Sequence, residues 1–175
     1  DVRNLERAAY AAKQEGAHVQ LAMAYTVGKK YTFKYWKKLA KDLEELGADS
    51  ICIKDMAGLL MPYEAENIIK MLKKTVSVPI HVHSHCTSGV APMTYMKAAE
   101  AGCDVIDTAL SPFSMGTSQP ATEVMYETFK AGGLNVKLNE DAMTYAAEYF
   151  RKFRRHAEQE GLIDIKMMDV DTKTL

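Results

Sequence analysis

Apolar positions along the first 120 residues fall into two alternating rhythms. Runs with apolar residues three and four apart predict helices over 33–46, 63–74 and 91–101, and a helix-like pattern (Leu5, Ala8, Ala9, Ala12) opens the chain. Between them lie short β-rich runs near residues 19, 50, 80 and 104, the third entered through Pro79 and covering 80–85. Three of these runs are introduced by one small design: a helical stretch ends at glycine, a small residue follows, then a polar one, then the strand. They are Gly16-Ala17-His18, Gly47-Ala48-Asp49 and Gly102-Cys103-Asp104. Glycine suits the left-handed position that closes a helix, so each triplet reads as a helix end turning tightly into a strand. Strands recurring every ~25 to 30 residues have the period of a βα unit with a parallel sheet.

Four such units are half of a (β/α)8 barrel, which needs eight in ~250 residues. An open doubly wound sheet is the alternative that the repeats alone leave standing. After Pro120 the pattern becomes mostly helical, with an apolar and aromatic stripe through Met143, Ala147, Phe150 and Phe153. The organisation expected is the second half of a TIM barrel over 1–120, followed by a helical extension over 121–175 that closes on 163–175 and packs at the barrel mouth. The chain opens at Asp1 without an initiator Met, directly in a helical pattern, which suggests a piece of something longer.

Composition narrows the class without naming a chemistry. A chain of 175 residues, 47% hydrophobic, can bury one substantial core. Its formal net charge of -1 gives no global pull toward nucleic acid. No run approaches the ~18 to 20 apolar residues of a membrane span and the start has no secretory pattern, so a cytoplasmic location is expected, with membrane contact only through partner subunits. Cys52, Cys86 and Cys103 are odd in number and form no C-x-x-C pair, so they read as reduced thiols. The lysines at 29, 30, 34, 37, 38 and 41 read as a solvated helix face, and the methionines, including Met56, Met61 and Met93, as core filler.

The sharpest local signal is Pro79-Ile80-His81-Val82-His83-Ser84-His85. Strand side chains alternate faces, so His81, His83 and His85 project to one side, where histidines two apart can share a divalent metal. Three on one face favour a metal over a set of hydrogen-bonded interior imidazoles. They also run to the C-terminal end of a parallel strand, the end of a β/α barrel where active sites lie. A second signal is the apolar strand Ile51-Cys52-Ile53 ending abruptly in Lys54-Asp55. Lys54 can snorkel to water or pair with Asp55. If buried beside a metal it could instead be a neutral amine, able to take up carbon dioxide as a carbamate and become an anionic ligand. The third candidate is Ser114-Met115-Gly116-Thr117-Ser118-Gln119-Pro120, turn-forming residues that read as a surface loop on which a hydroxyl could relay a proton.

Taken together, Lys54-Asp55-Met56-Ala57-Gly58, His81-Val82-His83-Ser84-His85-Cys86-Thr87-Ser88-Gly89, Asp104-Val105-Ile106-Asp107-Thr108-Ala109 and Gly116-Thr117-Ser118-Gln119-Pro120 resemble the carboxyltransferase family of biotin enzymes. That family includes the carboxyltransferase domain of pyruvate carboxylase, its separate B subunit, the oxaloacetate decarboxylase α chain and the transcarboxylase 5S subunit. The resemblance covers nearly the whole chain and implies strands five to eight of a barrel with part of a helical funnel. It implies transfer of a carboxyl group between carboxybiotin and pyruvate or oxaloacetate, with a zinc, manganese or cobalt ion on carbamylated Lys54, His83 and His85. It gives Thr117 the role of moving a proton between biotin and pyruvate, and leaves His81 as a supporting residue. Biotin would arrive on another domain or subunit, because no Ala-Met-Lys-Met motif is present and Met96-Lys97-Ala98 does not match it.

Two departures qualify the match. Cys86 stands where carboxylases often have Asp, and the family's fourth ligand, an Asp on the first strand, and its keto-acid pocket belong to the other half of the barrel. The partners expected are therefore pyruvate or oxaloacetate, a biotin carrier and further copies of the chain, without nucleic acid. Two alternatives remain at this level. One is a metal-dependent aldol-type lyase or synthase on a related barrel; the other is a non-catalytic assembly fragment.

Overall fold

A computed structural model describes residues 2–174, so the first residue of the expected opening helix and Leu175 of the expected tail lie outside the described residues. The chain runs α1 (Arg3–Gln14), β1 (Gln20–Ala24), α2 (Phe33–Glu45), β2 (Ser50–Asp55), α3 (Pro62–Lys73), β3 (Ile80–Ser84), α4 (Ala91–Glu100) and β4 (Val105–Ile106). A 3-10 turn (Ser111–Phe113), α5 (Thr122–Ala131), the long α6 (Glu140–Gln159) and two further 3-10 turns (Ile165–Met168, Thr172–Thr174) follow. Local chemistry sets several starts. Thr32 accepts the Tyr35 N–H to cap α2, Pro62 occupies the first turn of α3, and Asn139 accepts the Ala142 N–H to cap α6.

The strands form one parallel sheet in the order β1-β2-β3-β4, with Leu21 beside Ile51, Ile51 beside Ile80 and Val82 beside Ile106. Strand order therefore follows chain order, without the reversal that creates the crevice of a doubly wound sheet. One face carries Leu21, Met23, Ile51, Ile53, Ile80 and Val82 into a core shared with Trp36, Leu43, Ile68, Ile69, Leu72 and Tyr95. The opposite face bears Gln20, Ala22, Ala24 and Lys54, all exposed, with His81 and His83 half-buried. A sheet covered on one face by its crossover helices, wound in a single direction, is the wall of a barrel seen from both sides.

The repeated glycine triplets acquire a second meaning from their polar residue. Asp49 accepts the Val19 N–H (2.7 Å) and binds Lys13. Asp104 accepts the Ile80 N–H (2.8 Å) and both its oxygens bind Lys73 at 2.7 and 2.8 Å. Each carboxylate thus fastens the foot of its strand to the foot of the one before. His18 plays a looser version, its Nε2 lying 2.9 Å from Ser50 Oγ.

Several expectations are corrected. Met56, Met61 and Met93 are 56%, 46% and 55% exposed, because they sit outside the faces that the sheet and helices share. The fourth strand pairs over only two residues, although Ala109 forms an isolated parallel bridge with Ala121 farther on. Of the α6 stripe, Ala147 is buried while Phe150 and Phe153 are exposed and touch Phe113 edge-on or tilted. The described part of 163–175 is not a helix but a strap with two 3-10 turns.

Candidate metal centre

The centre lies where β2 and β3 end. Parallel pairing puts Lys54 beside His83 on the open face of the sheet. The ladder continues one step past β3, with the His85 N–H donating to Asp55 O at 3.1 Å, and this carries His85 to the rim. His83 and His85 then turn toward one another until their Nε2 atoms are 3.2 Å apart. Two imidazoles on one tetrahedral zinc, each at ~2.0–2.1 Å, bring their nitrogens to roughly 3.3 Å. The pair therefore has the bite of a chelate.

The other ring nitrogens are held from behind. His83 Nδ1 lies 3.0 Å from Asp107 Oδ2, and His85 Nδ1 lies 2.5 Å from the Thr117 carbonyl oxygen. Gln119 Nε2 stands 3.4 Å from His83 Nε2. His81 is set apart, lower on the sheet, and binds Gln20 Nε2 through Nδ1 at 2.8 Å. The structure thus brings two of the three histidines together.

The Lys54 side chain is exposed and makes no hydrogen bond or ion pair among the described residues. It does not pair with Asp55, whose side chain lies on the other face of the strand, fully buried. There Asp55 accepts the Leu59 and Leu60 N–H groups (2.9 Å each) and the Ser84 hydroxyl (2.8 Å). It is a clamp for the turn after β2. Among the described residues no third histidine, cysteine or carboxylate joins the pair to complete a metal cluster.

Thr117 stands on a loop strained to reach this place. Met115 adopts φ 68°, a left-handed conformation uncommon for a residue with a side chain. Gly116 follows at φ 55°, and a Cβ there would sit 2.1 Å from Met167 O. The strap lies against it, with the Thr117 N–H donating to Met167 O (2.9 Å), and the loop after β3 holds it from the other side, with the Cys86 N–H donating to Ser118 O (2.8 Å). Farther along, the Asp171 N–H donates to Thr87 O at 2.8 Å. Thr117 is exposed beside a small cavity of about 220 Å³ that Arg154, Leu162 and Met168 also line. Burial pushes the Cys86 thiol up to about 11, consistent with an inert packing residue.

Sequence reasoning left Asp107 and Gln119 without roles. For Asp107 a signal was available, since Val105 pairs with His81 and the alternation of both strands carries Asp107 to the face of His83. The Met167 carbonyl had no such signal, because a backbone acceptor in an irregular strap leaves no trace in side-chain pattern.

Comparison with known proteins gives this geometry its relatives. Residues 2–149 match the family model described as HMGL-like. The chain is 53% identical over 154 residues to the pyruvate carboxylase B subunit of Methanocaldococcus jannaschii, covering 88% of this chain and 27% of that protein. It is 38% identical over 169 residues to the methylmalonyl-CoA carboxyltransferase 5S subunit of Propionibacterium freudenreichii subsp. shermanii, covering 94% of this chain and 34% of that protein. The carboxyl transferase domain of Rhizobium etli pyruvate carboxylase, solved with pyruvate, superposes with a TM-score of 0.85 at 34% identity over 88% of this chain and 27% of that domain. The chain spans about a quarter to a third of the length of these relatives.

Proposed function

The chain belongs to the HMGL-like family, and on that premise we propose that it forms the part of a biotin-dependent carboxyltransferase at which a carboxyl group passes between carboxybiotin and pyruvate or oxaloacetate. The observation that carries this reading is the pair of imidazole nitrogens 3.2 Å apart at the strand ends, each backed by an oxygen acceptor. That donor set suits a divalent ion such as zinc, manganese or cobalt, held by His83 and His85 with Lys54 as a third donor. Such an ion supplies Lewis-acid polarisation of a keto acid and stabilises its enolate.

The protein's own contribution is positional. Strand pairing fixes Lys54 next to His83, and the exposed amine has the open face in front of it for carbon dioxide to reach. Carbamylation replaces a positive charge by an anionic oxygen donor, the change a lysine needs to join two neutral imidazoles as a ligand. The burial that a neutral amine requires is lacking among the described residues, so in this reading it comes from the remainder of the protein. Biotin is carried on another domain or subunit. Thr117 is the proposed relay between biotin and keto acid, its hydroxyl exposed at the rim.

The test uses the intact protein. Exchange of labelled carboxylate between oxaloacetate and pyruvate should require biotin and a divalent ion, and should disappear in His83→Ala and His85→Ala. Retro-aldol cleavage of a hydroxyacyl substrate in place of exchange would move the assignment to the lyase branch of the family. Mass spectrometry of the native protein, showing a 44 Da adduct on Lys54 that is lost in acid, reads carbamylation directly.

A further inference from the structure

A metal takes an imidazole only through a bare ring nitrogen, so a two-histidine site works only when both rings present the same kind of atom. Each ring here carries one nitrogen facing an atom that can only accept: a carboxylate oxygen of Asp107 for His83, and the carbonyl oxygen of Thr117 for His85. Both contacts are at Nδ1, both require a hydrogen there, and both leave Nε2 with its lone pair exposed. The two lone pairs then meet at 3.2 Å. Two bare ring nitrogens repel in that arrangement, and the only donor near them among the described residues is the Gln119 amide, at a long 3.4 Å from His83 Nε2. The acceptors therefore hold the rings in a pose that a cation between them favours.

We propose that Asp107 is a positioning residue that selects the Nδ1–H tautomer of His83, and that it works as one half of a matched pair whose other half is the Thr117 main-chain carbonyl. The inference rests on the metal-centre reading and deepens it. The two supports differ in kind. The Asp107 carboxylate stands on the chain after β4, in line with His83 across the sheet, and adds a negative charge that raises the electron density offered by the ring. The Thr117 carbonyl is neutral and is itself held by the contact of the Thr117 N–H with Met167 O. Mutation can remove the first without disturbing the second.

The decisive measurement is divalent-metal affinity of the intact protein, by chelator competition with zinc and by the visible spectrum with cobalt. Removing an outer partner of a ligating histidine weakens binding by about 10- to 100-fold. Asp107→Ala should fall in that range, and Asp107→Asn, which keeps an acceptor without the charge, should lie between it and wild type. Asp104→Ala, three residues away, breaks contacts with Ile80 and Lys73 and should lower stability while leaving zinc affinity within twofold. Wild-type affinity in Asp107→Ala would overturn the proposal. Absence of zinc binding in the wild type would instead overturn the metal centre itself. Nitrogen-15 long-range correlation spectra of the metal-free protein at pH 8 test the tautomers without any variant. Both rings should show protonated Nδ1, and a protonated Nε2 on His83 would equally defeat the assignment.

Discussion

At the scale of single residues, the adjacent Lys54 and Asp55 do unlike work because strand alternation sends their side chains to opposite faces. Asp55 follows Lys54 by one position, yet it is buried on the helix side with three donors upon it. Removing it strands two backbone N–H groups and a hydroxyl in a dry interior. Asp55→Ala should therefore destabilise the domain by on the order of 3 kcal/mol, seen as a lower urea midpoint. Thr117 separates side chain from backbone in another way, since Thr117→Ala deletes the hydroxyl and keeps the carbonyl that supports His85. The relay reading requires carboxyl transfer to fall by ~10²-fold or more in this variant, with zinc affinity unchanged. Full activity would assign the residue to its carbonyl alone.

Elements show how much of the molecule was legible in advance. The glycine triplets and the period of the repeats placed four strands and the intervening helices close to where they lie, because tight turns and two-face burial impose strong local patterns. Strand alternation placed His81, His83 and His85 on one face, and the family resemblance, not the pattern, narrowed the three to the His83 and His85 that meet. What escaped was set by contacts between segments far apart in the chain: the exposure of Met93, the brevity of β4, and the strap's lack of a helix. The foot of β4 carries a prediction of its own. Burial alone would raise the Asp104 pKa, but the Ile80 N–H and Lys73 hold it below the ordinary 3.8. A carboxylate with a depressed folded value contributes stability that is complete above its unfolded pKa and is lost as pH falls through the folded one. Urea midpoints recorded from pH 6 down to pH 2 should fall less steeply in Asp104→Asn than in wild type.

For the molecule as a whole, the open face and the outer edges of β1 and β4, which pair with no further strand among the described residues, dominate. A polypeptide of these 175 residues alone presents N–H and C=O groups along both edges and exposed Ala22, Ala24 and Lys54 between them. Sedimentation at rising concentration should show dimers or larger species, and a clean monomer at 100 µM (~10⁻⁴ M) would mean the edges are protected by other means. The strap running from Ile165 to beyond Val170 bridges the loops that follow β3 and β4, through Thr87 and Thr117. Gly116→Ala would press a methyl group into Met167 O, so that variant should raise proteolytic cleavage within 162–171 and weaken zinc binding together. Because linkage is reciprocal, whatever free energy the seated strap adds to metal capture, a captured metal returns to the seating of the strap. If the proposed centre holds its metal, occupancy becomes a signal readable at the strap, and zinc should slow amide hydrogen exchange at Thr117 and Asp171 by the same factor that strap removal lowers zinc affinity.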